Sequence, residues 1–241
     1  MPYAANFETR EHGAATGAFG RESYAGRVPV TEVTTLFWDV GGVILSNGWD
    51  TSERAAAIRR FALDAADFEQ RHEAEFPALE MGRITLDTYL DRTVFYSARP
   101  FSREEFTDFL FSQSIANPET LTLLEQLATP RRYLMATLNN ESSELNAYRI
   151  RTFQLARFFT AFFTSCYLGV RKPAEQIYRL ALEMTQRVPE ECIFIDDRPE
   201  NLEVPKRLGM RTIQFVNAAQ LRTDLAGRNV NAEAGAGRRD S

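Results

Sequence analysis

Histidine is nearly absent from this sequence: its 241 residues hold only His12 and His72. A Ser-His-Asp triad would rest on His72 alone, and no G-x-S-x-G turn is there to partner it. Histidine-rich metal sites are excluded on the same ground. Cysteine is as scarce. Cys166 and Cys192 each lie in an apolar run, FFTSCYL and ECIFI. They read as buried thiols rather than a disulfide framework, which makes a reducing cytoplasm the expected compartment. No long apolar run occurs, so no membrane span is expected. The first twenty residues lack the continuous apolar stretch of a secretory signal. A formal net charge of -5 argues against a nucleic-acid binder held by phosphate contacts. Catalysis is left to carboxylates, a lysine, amides or a metal.

What remains is an ordinary globular composition, 44% hydrophobic and 25% charged. The length suits one sizeable core, or one core with a small accessory domain. Residues 1–31 are rich in Ala, Gly and charge and carry no periodicity; they read as a disordered arm, as do residues 222–241. Between them the pattern alternates. Apolar strand candidates run over Thr34–Trp38, Tyr133–Leu138, Ala161–Ser165, Cys192–Ile195 and Met210–Val216. Helices separate the later ones. Asn117-Pro118 forms an N-cap and N1 pair ahead of Leu121, Leu124 and Leu127. Lys172-Pro173 opens a helix with Ile177, Leu180, Ala181 and Met184 on one face. Alternating strands and helices predict an α/β fold, a Rossmann-like parallel sheet. Residues 50–113 break the alternation with helical character throughout, including a capping signal at Ser102 and Glu105. They read as an inserted all-helical domain, which leaves 32–49 and 114–221 as the α/β core. Within the insertion, Phe61, Phe68, Phe76, Phe95 and Phe106 read as core, with a minority facing a ligand. Gly82 reads as a turn between helices, and His72 as an exposed helix residue.

The polar residues follow the strands. Asp39, Asn139, Asn140, Asp196 and Asp197 each come directly after an apolar run, and Lys172 follows the third by a short loop. In an open parallel sheet these ends gather at one edge, where ligands bind. Clustered carboxylates repel one another unless a cation shares their site. Oxygen ligands without histidine or thiol favour Mg²⁺.

The run Leu36-Phe-Trp-Asp39-Val-Gly-Gly-Val-Ile44 resembles the first motif of the haloacid dehalogenase superfamily. Gly169-Val-Arg-Lys172-Pro173 resembles its lysine motif, and Phe194-Ile-Asp196-Asp197-Arg-Pro-Glu-Asn201 its acidic motif. Leu138-Asn139-Asn140-Glu141-Ser142 fills the place of the second motif. The resemblance spans residues 34–216, and the helical insertion is similar to the cap of the subgroup that holds phosphatases, dehalogenases and the N-terminal domain of soluble epoxide hydrolases. It implies that Asp39 attacks phosphorus and forms an aspartyl-phosphate. It implies Mg²⁺ held by Asp39, the Gly41 carbonyl and Asp196, with Lys172 neutralising charge. It gives Asp197 the orienting of Lys172 or of a metal-bound water, and Asn139 and Asn140 the substrate phosphate. The cap would close over the site and choose the substrate.

The sequence departs from the pattern in two places. Phosphatases of the family carry an acid/base Asp two residues after the nucleophile, where Gly41 stands here. A good leaving group, such as an anomeric sugar phosphate, needs that acid least. Asn139 takes the place of a Ser or Thr, with Thr137 as the other register. The expected function is hydrolysis of a small phosphorylated metabolite, a sugar phosphate being one candidate. Two alternatives stand beside it: a 2-haloacid dehalogenase, in which Asp39 attacks carbon without a metal, and a catalytically impaired scaffold with a binding or regulatory role.

Overall fold

The computed structural model describes residues 32–232. The expected arm over 1–31, His12 and the last nine residues lie outside them. Five strands form one sheet in the order β3-β2-β1-β4-β5, every neighbouring pair parallel. They are β1 (Thr35–Trp38), β2 (Leu134–Asn139), β3 (Ala161–Thr164), β4 (Cys192–Asp196) and β5 (Arg211–Gln214). The α/β class expected from the alternating pattern is therefore present. Strands β1 to β4 are rich in apolar side chains because both faces are covered, while β5, at the sheet's edge, buries Ile213 alone. Leu36 and Trp38 of β1 join Ile193 and Ile195 against Leu123, Leu124, Leu221 and Leu225. Phe37 turns the other way, with Phe194, Ile177 and Ala181.

Helices α1 (Thr51–Arg60), α2 (Ala65–Glu80), α3 (Leu86–Thr93) and α4 (Arg103–Ser112) follow β1 without an intervening strand. They build a hydrophobic cluster of their own around Phe61, Phe68, Tyr89, Leu90 and Phe106. Each start is capped: Asp50, Asp64, Thr85 and Ser102 accept from backbone N–H groups in the first turn. Gly82 makes the turn after α2 with φ +67, and a Cβ there would lie 2.1 Å from the Cys166 carbonyl oxygen. Only glycine meets both conditions.

The remaining helices are α5 (Pro118–Ala128), α6 (Ser143–Thr152), α7 (Ser165–Leu168), α8 (Glu175–Thr185), α9 (Glu203–Arg207) and α10 (Ala218–Ala226). The structure departs from three expectations. The tail expected from 222 is structured as far as it is described: Asn217 caps α10, and Leu221, Leu225 and Val230 are buried in the sheet's core. In α8 the buried stripe is Ile177, Tyr178, Ala181 and Leu182, while Met184 is exposed. The rotation follows from Tyr178, whose hydroxyl donates to the Asn201 carbonyl at 2.8 Å. Finally, His72 is not exposed. It is buried between Phe68, Phe76 and Tyr89.

His72 ends a buried polar chain. Trp49 Nε1 donates to the Tyr89 hydroxyl at 3.0 Å, and that hydroxyl lies 2.8 Å from His72 Nδ1. With its oxygen already accepting, Tyr89 donates to a neutral imidazole. Burial, with the nearby Arg54 charge, holds the His72 pKa down at about 3. A histidine depressed from 6.5 to about 3 is neutral when folded but protonates when unfolded. Its contribution to stability is therefore lost as pH falls through that window. His72→Phe is expected to flatten the fall of Tm between pH 6.5 and 3.5, read by melting both proteins across that range; parallel curves would show that His72 does not titrate this way.

Candidate active site

The sheet's register sets two aspartates side by side. Trp38 pairs with Ile195, so Asp39 and Asp196 leave β1 and β4 at the same level. The Asp39 amide donates to the Ile195 carbonyl at 2.8 Å, and Val40 N–H donates back to Asp39 Oδ1 at 2.8 Å. Lys172 Nζ bridges the pair, 3.0 Å from Asp39 Oδ1 and 2.6 Å from Asp196 Oδ2. Asn140 holds Lys172 there by a two-way clamp. Its Oδ1 accepts from the Lys172 amide at 2.8 Å and its Nδ2 donates to the Lys172 carbonyl at 3.0 Å. Asn201 fixes Asp196 from behind, with Nδ2 at 3.0 and 3.1 Å from the two carboxylate oxygens.

Asp197 completes the group. One oxygen each of Asp39, Asp196 and Asp197 lie within 4.8 Å of one another. Three carboxylates share this space with one ammonium, and the crowding registers in the protonation of Asp39 and Asp197. Burial pushes Asp39 up to about 8 against the pull of Lys172, with Asp196 and Asp197 adding to the rise. Burial and Asp196 also raise Asp197. Burial alone would lower Lys172, but Asp39 and Asp196 outweigh it and hold it above an ordinary lysine. Asp197 Oδ1 is buried without a hydrogen-bond partner. An orphaned carboxylate oxygen beside two further carboxylates fits a hard divalent cation, which takes oxygen ligands and offsets their repulsion.

Gly42 makes this packing possible. Its φ is +72, and a Cβ there would stand 2.3 Å from Asp197 Oδ2. Gly42→Ala is expected to destabilise the fold by about 1–2 kcal/mol through the left-handed backbone and to displace the Asp197 carboxylate. Magnesium affinity, titrated calorimetrically, should fall about tenfold, in the range of a lost outer contact to a metal; unchanged affinity would remove Asp197 from the metal's surroundings.

A cavity of about 280 Å³ opens over these groups and is lined by Asp39, Gly41, Asn140 and Lys172 among others. Asn139 does not line it. Its side chain is buried, with Oδ1 accepting from Thr164 at 3.3 Å and Nδ2 donating toward Glu141 at 3.4 Å. Thr137, the other register, is buried and also away from the cavity. Of the two amides expected at the substrate, Asn140 alone reaches the wall. The two free cysteines stand apart from the site, as buried or half-buried thiols.

Several wall residues were not singled out by the sequence. Glu141 and Arg149 form a buried ion pair at 2.6 Å. Arg149 also donates to Ser114 Oγ and to the Ser46 carbonyl, both at 3.0 Å. It thereby ties α6 to the loop after β1 and to the end of the helical block. Burial raises the Glu141 pKa to about 7, Arg149 pulling it down and Glu80 pushing it up. Glu80, on α2, pairs with Arg171 at 2.5 Å. Asn47 stands beside Gly41, its Oδ1 3.2 Å from where a Cβ of residue 41 would be. Glu141, Arg171 and Asn201 lie inside the motif runs, whereas Asn47, Glu80 and Arg149 carried no signal in the sequence.

Residues 33–209 match the haloacid dehalogenase-like hydrolase family. The chain is 24% identical over 213 residues to the D-ribitol-5-phosphate phosphatase of Bacteroides thetaiotaomicron, an alignment covering 80% of this chain and 97% of that protein. It is 36% identical over 78 residues to the chloroplast flavin mononucleotide hydrolase 1 of Arabidopsis thaliana, a match that spans 32% of either chain. Among solved structures, a HAD family enzyme of Bacteroides thetaiotaomicron in complex with magnesium and inorganic phosphate superposes with a TM-score of 0.64 at 21% identity. That superposition covers 77% of this chain and 95% of the other, and it speaks for the fold. No helix among the described residues is long and apolar enough to cross a membrane.

Proposed function

This chain belongs to the haloacid dehalogenase-like hydrolases, and from that premise we propose that it is a Mg²⁺-dependent phosphomonoesterase acting on a small phosphorylated metabolite through an aspartyl-phosphate. The observation that carries the reading is the trio of carboxylates bridged by Lys172 at the floor of the cavity. Asp39, the Gly41 carbonyl and Asp196 would hold the ion, with Asp197 beside them. When bound, Mg²⁺ offsets the repulsion between carboxylate and phosphate and stabilises charge on the transferring phosphoryl group.

The chain's own residues do the rest. Val40 N–H and Lys172 hold Asp39 Oδ1, which leaves Oδ2 as the attacking atom. The Asp39 Oδ2–P bond forms as the P–O bond to the alcohol breaks, and the alcohol takes a proton from solvent. Water then cleaves the acyl phosphate, releasing inorganic phosphate and returning the carboxylate. Lys172 accompanies the charge throughout. A carboxylate meeting a phosphate faces about 4 kcal/mol of repulsion per charge pair at about 4 Å in an effective dielectric near 20, which is the load on Lys172 and the cation. Asn140 acts by keeping the ammonium in place.

The test is phosphate release from a panel of small phosphomonoesters with Mg²⁺ and with EDTA. Release that disappears in EDTA is expected. Chloride release from a 2-chloroacid in EDTA, with no phosphate release, would replace the reading with the dehalogenase one.

A further inference from the structure

The cavity has two unlike walls. Toward the sheet lie the carboxylates, Lys172 and Asn140. On the side of the helical block Asp50 and Glu80 are taken up by Arg198 and Arg171, and the rest of that wall is apolar: Trp49, Phe76, Leu79, Leu86, Leu110 and Leu145. These six come from the segment before α1, from α2, α3, α4 and from α6. All but Phe76 belong to the buried part of the helical block's hydrophobic cluster, so the cluster itself forms the far wall. A polyol placed there would lose hydrogen bonds to water and find hydrocarbon in exchange.

The charges on the wall are matched. Arg149 is held by Glu141 at 2.6 Å, Arg171 by Glu80 at 2.5 Å and Arg198 by Asp50 at 2.5 Å. Lys172 is shared between Asp39 and Asp196. Among the described residues these are the four cations lining the cavity, and each already has a carboxylate. A second anionic group on the substrate would have to break one of these pairs. The amides of Asn140 and Asn201 are committed to Lys172 and Asp196, which leaves Asn47 as the further amide on the lining and Glu200 as a carboxylate that a second anionic group would meet with repulsion.

We infer that the substrate is a phosphomonoester whose leaving alcohol carries an uncharged apolar body, aromatic or alkyl, seated against Trp49, Phe76, Leu86 and Leu110. The inference rests on the phosphatase reading and narrows it. A volume of about 280 Å³ sets the scale; it is at the low end for small-molecule pockets, which favours a body of benzyl or hexyl size over a large ring system. The phosphate meets the polar floor, and the hydrocarbon replaces water along the far wall.

The experiment compares kcat/KM for benzyl phosphate and n-hexyl phosphate with D-ribitol 5-phosphate and glycerol 3-phosphate, all in Mg²⁺. All four are esters of primary alcohols, and the polyols are the better leaving groups, so chemistry alone favours them. Values at least about tenfold higher for the benzyl and hexyl esters are expected, the scale on which hydrophobic pockets discriminate. In Asp39→Asn, which should bind without turnover, the same two esters should titrate with lower Kd than the polyol phosphates. Phe76→Asn should shrink the wild-type ratio to within about threefold, the loss of one apolar contact face. An equal or reversed order in the wild-type protein overturns the inference and leaves the phosphatase reading standing. Absence of Mg²⁺-dependent release from every ester overturns both.

Discussion

Asp39→Asn is expected to lower phosphate release by about 10⁴-fold or more, the scale of losing a nucleophile, while the protein folds at least as well as before. The amide is nearly isosteric. Its oxygen can still accept from the Val40 amide and from Lys172, the two contacts Asp39 makes at 2.8 and 3.0 Å. What it cannot do is form an acyl phosphate. The stability side follows from the carboxyl's pKa, raised by burial from 3.8 to about 8. An acid whose folded pKa lies above its unfolded one keeps a proton that the unfolded chain releases. The metal-free protein therefore loses stability as pH rises from about 4 to about 8. Asparagine removes that loss. Melting in EDTA across this range should show a decline in the wild-type protein and a flatter line in the variant. Added Mg²⁺ should raise the wild-type Tm most at the alkaline end. Turnover within tenfold of wild type in a folded Asp39→Asn protein would remove Asp39 from the mechanism.

The strand ends were legible because a buried parallel sheet writes its strands as apolar runs, and the residue after each run is where backbone and side chain leave the core. Asp39 and Asp196 are of this kind, one residue past Trp38 and Ile195. Lys172 was legible through its run of neighbours, but the clamp by Asn140 was not. A hydrogen bond across 32 residues leaves no periodic trace. The cavity's far wall was hidden for a similar reason. Phe76 and Leu110 serve the helical cluster and the cavity at once, and nothing in their spacing separates the two duties. Asn139 shows the opposite failure. Its place in the motif suggested a group facing the phosphate, yet the strand carries its side chain into contact with Thr164. Composition misled at 222, where a polar run concealed the spacing of Leu221 and Leu225 that buries α10. It misled at His72 too, since one histidine in a charged helix gives no sign of the Tyr89 hydroxyl waiting for it.

Gly41→Asp on its own is expected to change the rate less than about threefold, whereas Gly41→Asp combined with Asn47→Ala should accelerate hydrolysis of a simple alkyl phosphate by about 10²-fold, the lower end of what a placed general acid supplies. The backbone is not the obstacle, because Gly41 is absent from the glycines with positive φ. Space is. A Cβ at 41 would come within 3.2 Å of Asn47 Oδ1, while its distances to the Asn47 backbone, 3.5 and 3.6 Å, are ordinary contacts. Truncating Asn47 clears the side chain alone. A carboxyl there would stand beside Asp39 and could protonate the departing oxygen, the step that the proposed mechanism leaves to solvent. That role predicts a dependence a mere structural repair would not produce. An alkyl phosphate expels a strongly basic alkoxide and needs the proton, but p-nitrophenyl phosphate expels a stable phenolate and does not. The gain should therefore be large for the first ester and within about threefold for the second, as expected for acid catalysis that follows the basicity of the group it serves. Equal gains on both would mean that the double change had reshaped the cavity rather than restored a proton donor. No gain on either would mean that a carboxyl at residue 41 cannot reach the leaving oxygen in this site.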